Sequence, residues 1–284
     1  MTQKIIALVD GSIYAASVCE HAAWVASRTG WAVEILHVLG RREGAAKTDL
    51  SGSIALGART ALLEELAELD AQRAKLVAHR GRAILEDARA IVDKAGVTEI
   101  TTRLRQGDIV DTLAEQEAGA ELVLIGKRGE AADFAEGHLG SNLERIVRAS
   151  HRPILVAARA FRPMSKVLVA WDGGPSAMRV IDHIAHSPLY KGLAVTVATV
   201  GNASDAVRRD LEDARAILTA AGLDASTEIL SGQPETALGA LVESVPYDLL
   251  VMGAYGHSRI RSLIIGSTTT AMLRSCKVPV VLVR

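Results

Sequence analysis

Cysteine, aromatic residues and any excess of one charge are all scarce in this chain, and each scarcity closes off a class of function. Of 284 residues only Cys19 and Cys276 are cysteines, too few for a disulfide framework and without metal-ligand spacing. They read as small buried apolar side chains. Aromatics supply 3% of the residues and the whole apolar set 49%, so the core has to be built from Ala, Val, Leu and Ile. A formal net charge of −1 gives no electrostatic footing for nucleic acid or for an anionic membrane. No segment approaches the roughly 18 uninterrupted apolar residues of a transmembrane helix. The opening "MTQKIIALVDG" lacks the cleavage region of a signal peptide, and a cytoplasmic location is the expectation. Three familiar motifs are also missing. "IGKRG" lacks the first glycine and the hydroxyl residue of a P-loop, no G-x-G-x-x-G follows the first strand, and there is no G-x-S-x-G nucleophile elbow.

What is present is a duplication. "KIIALVDGSIYAASV" from Lys4 resembles "KVLVAWDGGPSAMRV" from Lys166, and "AELVLIGKRGE" resembles "YDLLVMGAYGH". "GSNLERIVRASHRPILVAAR" likewise matches "GSTTTAMLRSCKVPVVLVR", and the three blocks keep one order in both halves. The division falls near Ala157 to Lys166, which gives two domains, 1–160 and 161–284. In the second half the apolar runs "KVLVAWD", "AVTVATV", "STEIL", "DLLVMG" and "PVVLVR" alternate with helical patterns such as the one carrying Val207, Leu211, Ala214 and Leu218. Apolar runs without polar alternation belong to strands covered on both faces. The fold class is therefore α/β, two tandem doubly wound five-stranded parallel-sheet domains. The closing strands "PILVAAR" and "PVVLVR" are the candidate contact between the halves, because unpaired edges seek partners. The first half also carries an insert at 41–96, ending in an amphipathic helix with Leu62, Leu66, Leu69, Leu76, Ile84 and Ile91 near one face. It reads as an extended crossover helix packing on the sheet, with a dimer surface or a lid over the first site as the alternative.

Ligands of doubly wound sheets sit beyond the carboxyl ends of the strands. Asp10 and Asp172 end the first strand of each half, and Gly126 and Gly253 end the fourth. After the latter comes "GAYGHSRIRSLIIGSTT", with the spacing G-x2-G-x9-G-S at Gly253, Gly256, Gly266 and Ser267. Glycines let a backbone approach a ligand closely, and a helix opening at Ser267-Thr268 would present free amides to an anion. Ordinary turns and helix caps use the same residues, so the spacing alone leaves both readings open. His257 is equally readable as a phosphate contact or a solvated loop residue. The segment "DHIAHSP" places His183 and His186 three apart beside Asp182, but lacks further ligands at metal-site spacing and reads as a helix terminus.

Taken together, Asp172, the G-x2-G-x9-G-[ST] loop and the closing "VPVVLVR" strand resemble the universal stress protein family, over nearly the whole chain as two tandem copies. "GHSRIRSLIIGSTT" is similar to its ATP-binding members. That resemblance implies ATP or ADP as ligand, with or without Mg2+, a regulatory or signalling role in stress response, and slow hydrolysis at most. It also implies roles for residues. Asp172 would lie near the adenosine and metal-phosphate region and Val200 would face the adenine. Met252 and Gly253 would line the ribose and phosphate approach, and Gly256, Gly266, Ser267 and Thr268 would hold the phosphates. The first-half counterparts are Asp10, Val38, Gly126, Gly129, Gly140, Ser141 and Asn142. There the loop is one residue longer and brings in Glu130, Asp133 and Glu136, which would repel a polyphosphate. The first site is thus expected to be the weaker. Two rival functions are a nucleotide-free interaction scaffold and a true enzyme of the adenine-nucleotide α-hydrolase group. The implied assembly is an intrachain pseudo-dimer that could pair further as a homodimer.

Overall fold

The computed structural model describes residues 3–40, 56–130, 140–202, 204–254 and 266–284, with backbone alone at 56–62 and 141. The first half contributes β1 (Lys4–Leu8), α1 (Ala15–Thr29), β2 (Ala32–Leu39), α2 (Leu56–Lys94), β3 (Ile100–Gln106), α3 (Ile109–Gln116), β4 (Ala120–Gly126), α4 (Ser141–Ala149) and β5 (Ile154–Ala157). The second contributes β6 (Lys166–Trp171), α5 (Pro175–His186), β7 (Ala194–Val200), α6 (Asp205–Ala220), β8 (Asp224–Leu230), α7 (Pro234–Ser244), β9 (Leu249–Gly253), α8 (Ser267–Ser275) and β10 (Val280–Val283), with a 3₁₀ turn at Pro188–Tyr190.

All strands lie in one ten-stranded sheet of order β3-β2-β1-β4-β5-β10-β9-β6-β7-β8. Each half is parallel throughout, with its first strand between its second and fourth. The halves join where β5 and β10 pair antiparallel, Leu155 opposite Val281. What would be an exposed edge in either half is thereby paired with the other, as the two closing strands suggested. The central strands β1, β4, β5, β9 and β10 are buried almost throughout. The outer strands β3 and β8 are not, so the continuous apolar pattern belongs to interior strands only.

Two cores follow, one on each face of the sheet, and both run through both halves. Helix α6 shows how periodicity becomes packing. Ser204 accepts from the Val207 amide and caps the helix, and Leu211, Ala214 and Leu218 form its buried stripe. Each fully buried leucine contributes roughly 2 kcal/mol.

Contacts between the halves extend beyond the shared strands. Lys127, just past β4, is buried and donates its Nζ to the carbonyl of Cys276 at the end of α8. Arg284, just past β10, donates to the Arg148 and Ser150 carbonyls at 3.1 and 3.2 Å, at the end of α4. Each half therefore sends a cation to the negative end of the other half's last helix, where unpaired carbonyls and the macrodipole favour it. The connection between the halves is pinned as well. Ser17 Oγ donates to the Ala158 carbonyl at 2.8 Å, and the His21 ring meets Phe161 edge-on at 5.1 Å between centroids. Both cysteines are buried, and burial raises both thiol pKa values, that of Cys19 to about 12.

The insert departs from the expectation in part. From Gly81 onward α2 packs on the sheet through Leu85, Ala88 and Val92. Its described N-terminal stretch does not. Leu69 and Leu76, assigned to the same packed face by the helical period, are 54% and 70% exposed. Period fixes which side chains share a face, but a 39-residue helix outruns the sheet that could cover that face. Residues 41–55 lie outside the described residues.

Candidate functional site

In the second half the chain reverses direction across the sheet at β6, which has β7 on one side and β9 on the other. Register pairs Trp171 with Thr199 and Ala170 with Met252. The next residues, Asp172 and Val200, therefore emerge side by side at the carboxyl edge, with Met252 and Gly253 across the switch. Asp172 Oδ1 accepts from the Gly174 amide at 2.9 Å, and Gly173 between them takes φ +72°, which glycine reaches without strain. Thr269 Oγ1 donates to the Gly253 carbonyl at 3.2 Å, tying the start of α8 to the end of β9. The structure thus brings Asp172, Val200, Met252, Gly253, Gly266, Ser267 and Thr268 to one end of the sheet. Gly256 and His257 lie outside the described residues.

The start of α8 suits an anion. Its N-cap is Gly266, with no side chain to occupy the first amides, and its first turn carries no acid. Ser267 is exposed and caps nothing among the described residues. The positive end of the α8 dipole thus lies beside the carboxyl end of β9, to which Thr269 ties it.

The first half uses equivalent positions differently. Asp10 Oδ1 accepts from the Ser12 amide at 3.0 Å, and its second oxygen takes the Glu130 amide at 3.1 Å. The loop after β4 is thereby folded back onto the strand-one aspartate. Tyr14, which stands where the second half has Ser176, packs so closely on Gly126 that a Cβ there would sit 2.6 Å from it. Gly140 faces Arg128 and Gly129 backbone at 3.4 Å from the equivalent point, and its amide donates to the Lys127 carbonyl at 3.2 Å. These glycines let protein approach protein. Arg80 of α2 reaches over Gly11 and pairs with the Glu130 carboxylate, and Glu144 sits in the first turn of α4. Val38 is half-buried at the end of β2 and Asn142 is exposed, while Asp133 and Glu136 lie outside the described residues.

Sequence reasoning missed Arg80 and Tyr14. Tyr14 was visible as a bulky residue aligned with a serine. Arg80, one of many cations on a long helix, gave no signal. Of the remaining titratable candidates, His186 bonds the Asp182 carbonyl at 2.9 Å and its carboxylate at 3.1 Å. His183 stacks edge-on with Tyr190. Among the described residues no group of three metal-ligating side chains exists, and no described helix is long and apolar enough to cross a membrane.

Comparison with known proteins agrees with this architecture. The profile described as the universal stress protein family matches residues 1–158 and again 164–284. A universal stress protein of Synechocystis is 37% identical, over 99% of this chain and 100% of its own length. Among solved structures, a universal stress protein of Archaeoglobus fulgidus superposes with a TM-score of 0.72 at 19% identity, covering 99% of this chain and 98% of that one. A Pseudomonas aeruginosa protein, PA1789, does so with a TM-score of 0.62 at 16% identity, covering 99% and 92%. With both halves matched in tandem and a full-length relative above 30% identity, the chain belongs to the universal stress protein family.

Proposed function

We propose that the protein binds one adenine nucleotide, ATP or ADP, in its second half and acts as a regulatory binder whose occupancy is the signal. The observation that supports this most directly is the asymmetry of the two α-helix starts. Among the described residues both starts have a glycine N-cap without a side-chain cap, but the first turn of α8, tied to the end of β9, carries no acid whereas that of α4 carries Glu144. In the first half the equivalent strand-one aspartate is already engaged by the Glu130 amide, Arg80 pairs with the Glu130 carboxylate, and Tyr14 packs on Gly126. The adenine preference comes from the family resemblance of the G-x2-G-x9-G-S loop. The α8 amides would hold phosphate oxygens, and Asp172 would receive either the ribose or a cation carried in by the phosphates. The family resemblance implies slow hydrolysis at most, resting on the positioning of phosphate and cation.

The test is to denature purified protein and quantify released nucleotide by chromatography, alongside titration of nucleotide-free protein. The expected stoichiometry is close to one adenine nucleotide per chain. Two per chain would refute the closure of the first half, and none with no affinity on titration would refute the reading altogether. Rapid turnover of bound ATP would favour the enzyme alternative.

A further inference from the structure

The stretch of α2 ahead of Gly81 is an amphipathic helix whose described leucines are exposed except for the half-buried Leu66. Leu63, Leu69 and Leu76 are 48%, 54% and 70% exposed. Leu66, Leu69, Arg73 and Leu76 follow spacings of three, four and three, the period of a helix-pairing seam. At 1.5 Å rise per residue, Leu63 to Leu76 makes a stripe about 20 Å long. A solvated leucine stripe of that length calls for a partner.

The charges on the same segment say which partner. Residues 63–70 contain Glu64, Glu65, Glu68 and Asp70 and no cation, whereas residues 71–82 contain Arg73, Lys75, Arg80 and Arg82 and no carboxylate. Side by side in the same direction, two such helices would set acid against acid and base against base. Reversed, each acidic half lies along a basic half. A partner complementary to this helix therefore needs the same charges in opposite order, which a second copy supplies by a two-fold rotation. Centred on Ala71, such a pairing places Leu66 of one copy on Leu76 of the other, and Leu69 beside Arg73.

We infer that α2 is a homodimerisation arm, which joins two chains through an isologous antiparallel helix pair at Leu66, Leu69 and Leu76. The inference is independent of nucleotide binding, because the seam lies outside the strand-end crevices. It does place the new interface on the same helix that delivers Arg80 to the first-half loop.

Sedimentation equilibrium of the full chain from about 1 to 200 µM tests it, with a dimer expected within that affinity range. L69E/L76E alters exposed positions only and should keep the far-UV circular dichroism. It should weaken the dimer at least about a hundredfold. Orientation is read by cross-linking. Q72C, which flanks the seam near the two-fold axis, should cross-link to its own copy readily, and E65C, on the same flank but about 18 Å along the axis from its own copy, should not. A wild-type chain that stays monomeric throughout would overturn the inference. So would a dimer indifferent to L69E/L76E, or equal cross-linking of E65C and Q72C. A monomer whose Leu69 and Leu76 instead drive binding to vesicles of mixed neutral and anionic lipid would assign the stripe to a lipid surface.

Discussion

Gly266→Asp is expected to lower affinity for ATP and ADP at least about a hundredfold without unfolding the protein. The two halves of that expectation share one cause. Gly266 is the N-cap of α8, at φ −55° and ψ 146°, a conformation open to any L-residue. Aspartate is among the best N-caps, because its carboxylate accepts from the amides of the first turn. The substitution therefore completes the helix start, and by completing it occupies the amides proposed to hold phosphate. It also sets a fixed negative charge where the phosphates would lie. Two like charges about 5 Å apart at an effective dielectric of about 20 repel by roughly 3 kcal/mol before screening, enough for the stated loss. The control is the same change at the equivalent cap, Gly140→Asp, also an extended N-cap, at φ −60°. It should leave nucleotide affinity and stoichiometry unchanged. Equal effects at both positions would mean that both crevices bind. No effect at Gly266 would remove the α8 helix start from the site.

These two positions also show how far the sequence could be read. The duplication, the buried parallel strands and the edge pairing of "PILVAAR" with "PVVLVR" followed from local patterns, because period and apolarity are properties of neighbouring residues. The gathering of Asp172, Val200 and Gly253 at one strand end followed from topology alone. What differed between the copies was harder to see. An extra residue and the acid at Glu130 marked the first loop as unlike the second. The closing of that loop, however, depends on Arg80 arriving from 50 residues away and on Tyr14 lying over Gly126. The cross-half cation Lys127 is 149 residues from the carbonyl it caps, and no periodicity connects them. The solvated reach of α2 was illegible for a different reason. An amphipathic stripe has the same period whether a sheet, a second chain or only water covers it, and only the dimensions of the sheet show where the cover ends.

Acid should destabilise the fold well before its carboxylates titrate, and the imidazole of His21 is the principal cause. The ring is fully buried, its Nδ1 donates to the Ser17 carbonyl at 2.7 Å, and its Nε2 has no partner among the described residues. Protonation would put a second N–H and a charge into an apolar setting beside Phe161. Burial accordingly pushes its pKa down to about 4, against an ordinary value near 6.5. His183 is lowered to about 4 as well, chiefly by burial and partly offset by Asp182. The sign follows from which state binds the proton. Below about pH 6.5 the unfolded chain takes up protons that the folded chain refuses, so stability falls with pH until the folded value near 4 is reached. For His21 the loss is about 1.4 kcal/mol per pH unit, and His183 adds to it in the same direction. Between pH 6.5 and 5 most carboxylates remain ionised, and Asp108 is held lower still by its hydrogen bond from Arg145. That window therefore belongs to the imidazoles. Urea unfolding at half-unit steps should show the decline, and His21→Asn should remove about one proton's worth of slope whatever it does to stability at pH 7. An unchanged slope in that variant would mean that His21 protonates without cost, and that the apolar contact with Phe161 does not exclude its charge.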